Sequence, residues 1–398
     1  MKIKEIKAGE ILDSRGFPTL KVSLRIDKGV FSFSLPSGAS RGKMEALELR
    51  DEDKKRFKGR GVLKAKEKVE KVIAPSLLGK DVRNQEEIDK IMIDLDGTEN
   101  KSSLGANSIL GVSVANLKAA ASFSGKETFS YIEEISGFKK NFPRPLFNVI
   151  NGGSHAKGGL DFQEFMIAPD EGSFEENLRV ASEAYHRLKE RLESINPLYC
   201  NIGDEGGFVP GLEKPEEALS LLKEVAPFEV VIDVAATEFF KDGKYVTKMG
   251  EMKREEIISY YKDLVKNFSI LGLEDPLEEE DFKGWSLLRE EVDRMIIGDD
   301  LLVTNPERIK RALVEKSCNA MILKVNQIGT VTESLKAAQM AKENNWKIIV
   351  SHRSGETEDD FISDFALGIG AQFIKSGAPA RGERVIKYNR LWEIERGI

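Results

Sequence analysis

Six apolar runs in the second half of the chain each carry a polar residue at or near the end. They are Val230-Val231-Ile232-Asp233, Ile270-Leu271-Gly272-Leu273-Glu274, Met295-Ile296-Ile297-Gly298-Asp299, Met321-Ile322-Leu323-Lys324-Val325, Ile348-Ile349-Val350-Ser351-His352 and Gln372-Phe373-Ile374-Lys375. Runs this apolar read as strands buried on both faces, the habit of a parallel sheet under helices. Most successive polar ends lie about 25 residues apart, room for one strand, one helix and two loops, so the pattern predicts a β/α barrel. Barrel chemistry gathers at the carboxyl ends of the strands, so three acids, two lysines and a histidine converge on one mouth. A single lysine in such a run is ordinarily a packed stem whose head reaches an acid. The repetition along six strands shifts the reading toward a site.

Upstream, Leu20, Val22, Leu24 and Ile26 alternate with polar residues, Asp27-Lys28-Gly29 turns, and Phe31, Phe33 and Leu35 resume the alternation. This predicts an antiparallel hairpin with one buried face. The loop Pro36–Gly42 offers glycines for close backbone approach and hydroxyls for a phosphate or metal. Asn84 with Glu87 has the form of a capping box, and Ile88, Ile91, Met92 and Leu95 then mark one helix face. A small-residue helix follows near Ala106–Ala121. Strands then helices predict an α+β domain over 1–136, with a barrel domain over 137–398. The barrel domain opens with strands at Leu146–Ile150 and Phe162–Ile167. The glycine-rich Asn151–Gly159 between them suits a lid. Ser173 with Glu176 starts a helix, and Gly203-Asp204-Glu205-Gly206-Gly207 lies in a loop.

Composition narrows the class. The 398 residues carry a net charge of −7, which argues against nucleic acid or an anionic membrane as the main partner. Two cysteines, Cys200 and Cys318, do not make a disulfide framework, so a reducing cytoplasm is the expected location. No apolar run approaches the roughly 20 residues of a membrane span.

Asp233, Glu274 and Asp299 at adjacent strand ends repel one another unless a cation sits among them, and all-oxygen ligands select Mg²⁺ before Zn²⁺. Asp275 precedes Pro276 and reads as a cap for the next helix, with Asp300 supporting Asp299. Lys324 and Lys375 face the same mouth. A lysine near a divalent cation and a second lysine loses affinity for its proton and is expected to be a neutral base. Glu164 and Glu205 add a second pair of carboxyl groups, one of which can act as general acid. Arg353 and Ser354 offer a phosphate site. Base, metal and acid together describe a β-elimination of water.

At this point the chain resembles the enolase family nearly end to end. The matching segments are Asp13-Ser14-Arg15-Gly16, Ser37–Ser40, Asn151–His155, Gln163-Glu164-Phe165-Met166, Gly203–Gly207, Glu274-Asp275-Pro276, Asp299-Asp300-Leu301, Lys324–Gly329, Ser351–Glu356 and Lys375-Ser376-Gly377-Ala378-Pro379. The resemblance implies an enolase-type ββαα(βα)6 barrel behind a smaller α+β domain. It implies the reversible, Mg²⁺-dependent dehydration of 2-phospho-D-glycerate to phosphoenolpyruvate in glycolysis and gluconeogenesis. In that scheme Lys324 removes the C2 proton, and Glu205, with Glu164 beside it, protonates the leaving hydroxyl. Asp233, Glu274 and Asp299 hold one Mg²⁺, and Ser40 a second. Lys375 pairs with the substrate carboxylate, Arg353 and Ser354 hold the phosphate, and His155, Gln163 and His352 line the pocket.

Arg41, Phe17, Lys157 and Asp161 depart from the family's usual residues, and Phe239–Glu255 is short, but every catalytic position is filled. A sugar-acid dehydratase or racemase of the superfamily would need neither Ser40 nor Arg353. A non-catalytic binding role would be a second function. The resemblance also implies a homodimer, or an octamer built from dimers. Lys21 and Glu393 stand where family members pair a glutamate with an arginine across the dimer, with both signs reversed.

Overall fold

The computed structural model describes residues 1–38, 42–156 and 159–398. An antiparallel sheet opens the chain, made of β1 (Glu5–Leu12), β2 (Pro18–Ile26) and β3 (Gly29–Ser34). β2 and β3 are the expected hairpin. Leu20, Val22, Leu24 and Ile26 are buried, and the helix Ala106–Phe123 packs on them. β1 adds a strand that the alternation did not predict, paired from Glu5↔Arg25 to Leu12↔Pro18. Only Ile6 and Ala8 of β1 are buried, and Leu12 is 58% exposed, so the strand carries little period-2 signal. The helix Gln85–Asp96 begins where the capping pattern predicts, but the box is not closed. The Asn84 amide donates to Glu87 at 3.0 Å and accepts no backbone N–H. Ser173 does cap its helix, Phe174–Ile195, accepting the Glu176 amide at 3.1 Å.

Eight strands close the barrel in chain order: β4 (Arg144–Asn151), β5 (Glu164–Ala168), β6 (Glu229–Asp233), β7 (Ile270–Glu274), β8 (Met295–Gly298), β9 (Ala320–Leu323), β10 (Lys347–Ser351) and β11 (Phe373–Lys375). β5 runs antiparallel to both neighbours. The other pairings are parallel. Two helices, Phe174–Ile195 and Pro215–Val225, separate β5 from β6, and each later strand leads into a helix. The order is therefore the ββαα(βα)6 of the sequence reading. A short antiparallel ribbon, Phe240–Lys241, Lys244–Thr247 and Gly250–Met252, is inserted after β6.

Strand alternation builds the site directly. Leu146, Met166, Val231, Ile297, Ile322, Ile349 and Phe373 form a buried cluster inside the barrel, separate from the larger core. Two residues nearer the mouth, the same inward face presents Asn148, Glu164, Asp233, Asp299, Lys324, Ser351 and Lys375. For β5 the count runs backwards because that strand is reversed. The apolar plug thus forms the floor of a polar chamber. The N-terminal domain closes one side: Ser37 and Gly355 exchange backbone hydrogen bonds of 2.7 and 2.9 Å. Among the described residues, no helix is long and apolar enough to cross a membrane.

Candidate active site

A cleft at the mouth is lined by Gln163, Glu164, Glu205, Asp233, Asp299, Lys324, His352, Arg353, Ser354 and Lys375. Ten of the sequence-predicted residues are therefore together. Glu274 joins them through Lys375, whose ammonium lies 2.9 Å from it. Ser40 lies outside the described residues, as does the side chain of His155.

Lys375 sits at the centre of the charge arrangement. Its Nζ lies 3.0 Å from Glu164 and 3.2 Å from Asp233, besides Glu274. Burial opposes its charge, but Glu164, Glu274 and Asp233 outweigh it and hold the proton on. Burial and the Asp233 charge push Glu274 well above the usual carboxyl range, even against the pull of Lys375. Gln163 donates to Asp233 at 3.2 Å and accepts from Ser154 at 2.6 Å.

Lys324 follows β9 at the start of a short helix, Val325–Ile328, and is hydrogen-bonded to Asp299. Gln327 on the same turn donates to the other Asp299 oxygen at 3.0 Å. Burial raises the Asp299 pKa, but the Lys324 charge and hydrogen bond reverse this and hold the carboxyl below its usual range. Burial favours the neutral amine, yet Asp299 outweighs burial, Arg353 and Lys375, so the lysine keeps its proton while that pair stands.

Asp275 is also corrected. The next helix, Phe282–Glu291, is capped by Asp281. Asp275 instead has a positive φ of 42° and accepts the amides of Asp299 and Asp300 at 2.9 and 2.8 Å. It clamps the end of β8. Carboxylate oxygens of Asp275, Asp299 and Asp300 lie within 4.8 Å of one another, the grouping best placed for a cation among the described residues. Both Asp275 oxygens are already engaged by amides, so its part is to aim Asp299. Burial and the Asp299 charge push Asp300 up to about 8. An all-carboxylate set this buried and this repulsive fits a hard divalent cation.

On the opposite wall, Asn148 donates to Glu205 Oε2 at 3.0 Å, and His352 Nε2 lies 3.4 Å from the same oxygen. Burial is the main reason the His352 pKa falls to about 4, so the ring is neutral. Arg353 grips Glu45 of the N-terminal domain at 2.7 and 3.2 Å and Asn326 at 3.0 Å. Arg15 reaches Ser354 at 3.3 Å. Glu45, Asn326, Gln327, Asn148 and Arg384 are functional neighbours that the sequence reading did not single out. Of these, Asn326 and Gln327 lie within the matching segment Lys324–Gly329, and Asn148 stands out as a lone amide in an apolar strand.

Fold and site together define a β/α-barrel acid–base enzyme whose clustered carboxylates and lysines suit elimination next to a carboxylate. A family model described as the enolase C-terminal TIM barrel domain matches residues 139–398, and one for the enolase N-terminal domain matches 3–132. The enolase of Methanocaldococcus jannaschii is 50% identical over 407 residues, covering 100% of this chain and 96% of that protein. The chain belongs to the enolase family, and its activity is that of a phosphopyruvate hydratase. The family is magnesium-dependent, and the acidic cluster fits such a site.

Proposed function

We propose that this mouth interconverts 2-phospho-D-glycerate and phosphoenolpyruvate with Lys324 as base and Glu205 as acid. The supporting observation is that these two groups enter one chamber from separate elements and with separate partners, Asp299 for one and Asn148 for the other. Lys324 takes the C2 proton, and the electron pair left at C2 delocalises into the carboxylate. Expulsion of the 3-hydroxyl then forms the double bond, and Glu205 delivers the proton that makes the leaving group water. Glu164, beside Lys375, shapes the field around that acid. A Mg²⁺ held by Asp299 would draw that carboxylate away from Lys324, which would favour the neutral amine, and would supply the charge that polarises the substrate carboxylate.

Asp233, Glu274 and Asp299 would hold this first Mg²⁺, and Ser40 a second one near the phosphate. Lys375 would take the substrate carboxylate. Arg353 and Ser354 would take the phosphate, with His155, Gln163 and His352 completing the wall. The working unit we infer is a cytoplasmic homodimer, its chain divided at 1–136 and 137–398. The test separates the two proton transfers. Lys324→Ala should abolish exchange of the C2 hydrogen with deuterated solvent and also turnover. Glu205→Gln should block dehydration while exchange continues. Wild-type exchange by Lys324→Ala would show that the base is another group.

A further inference from the structure

Arg384 is fully buried in the C-terminal helix Gly382–Arg396 and lies behind the proposed substrate-binding residues rather than among them. Its guanidinium fills the space behind the His352–Ser354 turn. Nη1 lies 2.6 Å from His352 Nδ1 and donates to the Arg353 carbonyl at 2.7 Å. Nη2 donates to the carbonyls of Ser354 at 2.7 Å and Asp204 at 3.0 Å. Arginine has five N–H donors and no acceptor, and it stays charged. His352 Nδ1 must therefore be the acceptor in this contact, and the ring proton must sit on Nε2, the nitrogen facing Glu205.

We propose that Arg384 is a positioning residue that fixes His352 as its Nε2–H tautomer, so that His352 can donate to Glu205 but cannot take its proton. The Asn148 amide faces the same Glu205 oxygen, Oε2. Two N–H groups directed at Oε2 place the acidic proton of neutral Glu205 on Oε1. Protonation of His352 would put a second N–H against the guanidinium, which agrees with the depressed basicity of the ring. The separation between Nε2 and Oε2 is 3.4 Å, with the two groups facing each other. The carbonyls of Asp204 and Ser354 make Arg384 a shared post for the Glu205 loop and the turn carrying the phosphate-binding pair. The consequence for catalysis rests on the role proposed for Glu205; the tautomer does not.

The test is a long-range proton–nitrogen correlation spectrum of protein labelled with ¹⁵N-histidine. The chain has three histidines, and His352 is assigned by its loss in His352→Gln. Wild type should show a protonated Nε2 and a bare Nδ1 throughout pH 6 to 8. An Nδ1–H tautomer, or a doubly protonated ring at pH 7, overturns the proposal without any variant. Arg384→Met should give mixed tautomers and lower dehydration about tenfold to a hundredfold while C2 exchange persists. Arg384→Lys, which restores a donor, should recover the wild-type tautomer. A folded Arg384→Met protein with an unchanged His352 spectrum also overturns it. If Glu205→Gln dehydrates normally, the acid assignment fails, and the spectrum still decides the tautomer.

Discussion

Replacing Lys375 by methionine keeps the stem and deletes the charge that three buried acids share. The ammonium is within 3.2 Å of Glu164, Asp233 and Glu274, and its side chain is 3% exposed. Breaking a buried ion pair from one side costs about 3–5 kcal/mol, because the remaining charge is left in a poor solvent. Unfolding entropy for 398 residues is roughly 0.8 kcal/mol per kelvin, so the melting temperature should fall by about 4–6 °C. The loss should depend on pH. Glu274 already titrates well above the usual range, from burial first and Asp233 second, and loses its lysine in the variant. A carboxyl raised in the folded state binds more protons there than when unfolded. Its effect is thus favourable below the unfolded value near 4.3 and is lost as pH rises through the folded value. The deficit of Lys375→Met should therefore be small at pH 5 and largest at pH 9. Thermal melts in excess chelator at pH 5, 7 and 9 measure it, and added Mg²⁺ should narrow the gap. Equal melting temperatures for variant and wild type at pH 7 and 9 in chelator would refute the account.

Asp299→Ala should leave a folded chain whose formation of phosphoenolpyruvate falls by about 10²–10³-fold, the scale of losing one preorganised charge; undiminished turnover in excess chelator would contradict it. In the proposed dimer, Lys21→Glu should weaken association by setting it against Glu393, and adding Glu393→Lys should restore it. An exposed pair contributes only about 0–1 kcal/mol, so the shift is read by sedimentation near the dissociation midpoint, and an unmoved midpoint removes the pair from the interface.

The barrel was legible because its inward faces alternate apolar and polar with period two, and the polar residue falls at the strand end each time. Val231 then Asp233, Ile322 then Lys324 and Phe373 then Lys375 are one rule applied three times. β1 was not legible, since only two of its residues are buried. Asp275 was misread because an acid before proline has the chemistry of a cap, whereas its amide partners belong to the next strand's end, 24 and 25 residues away. The pairing of Lys324 with Asp299 is a contact that spacing alone does not supply. Arg384 and Glu45 were silent for a related reason: each meets its partner across a sequence gap, 32 residues to His352 and 308 to Arg353.

The reversal of β5 has an evolutionary consequence. Connections that carry a helix must leave the mouth and return along the outside of the barrel, so their lengths are tied to its height. The connection from β4 to β5 starts and ends at the mouth, where Asn151 and Glu164 are paired opposite each other. Doubling such a loop adds only about 0.6 kcal/mol of closure entropy. Leu160 and Phe162 anchor the returning half of this connection in the core, so insertions on the Asn151 side of these two anchors cost little folding energy and are felt mainly through turnover. That side is the part of the barrel where substrate handling can be retuned without renegotiating the core.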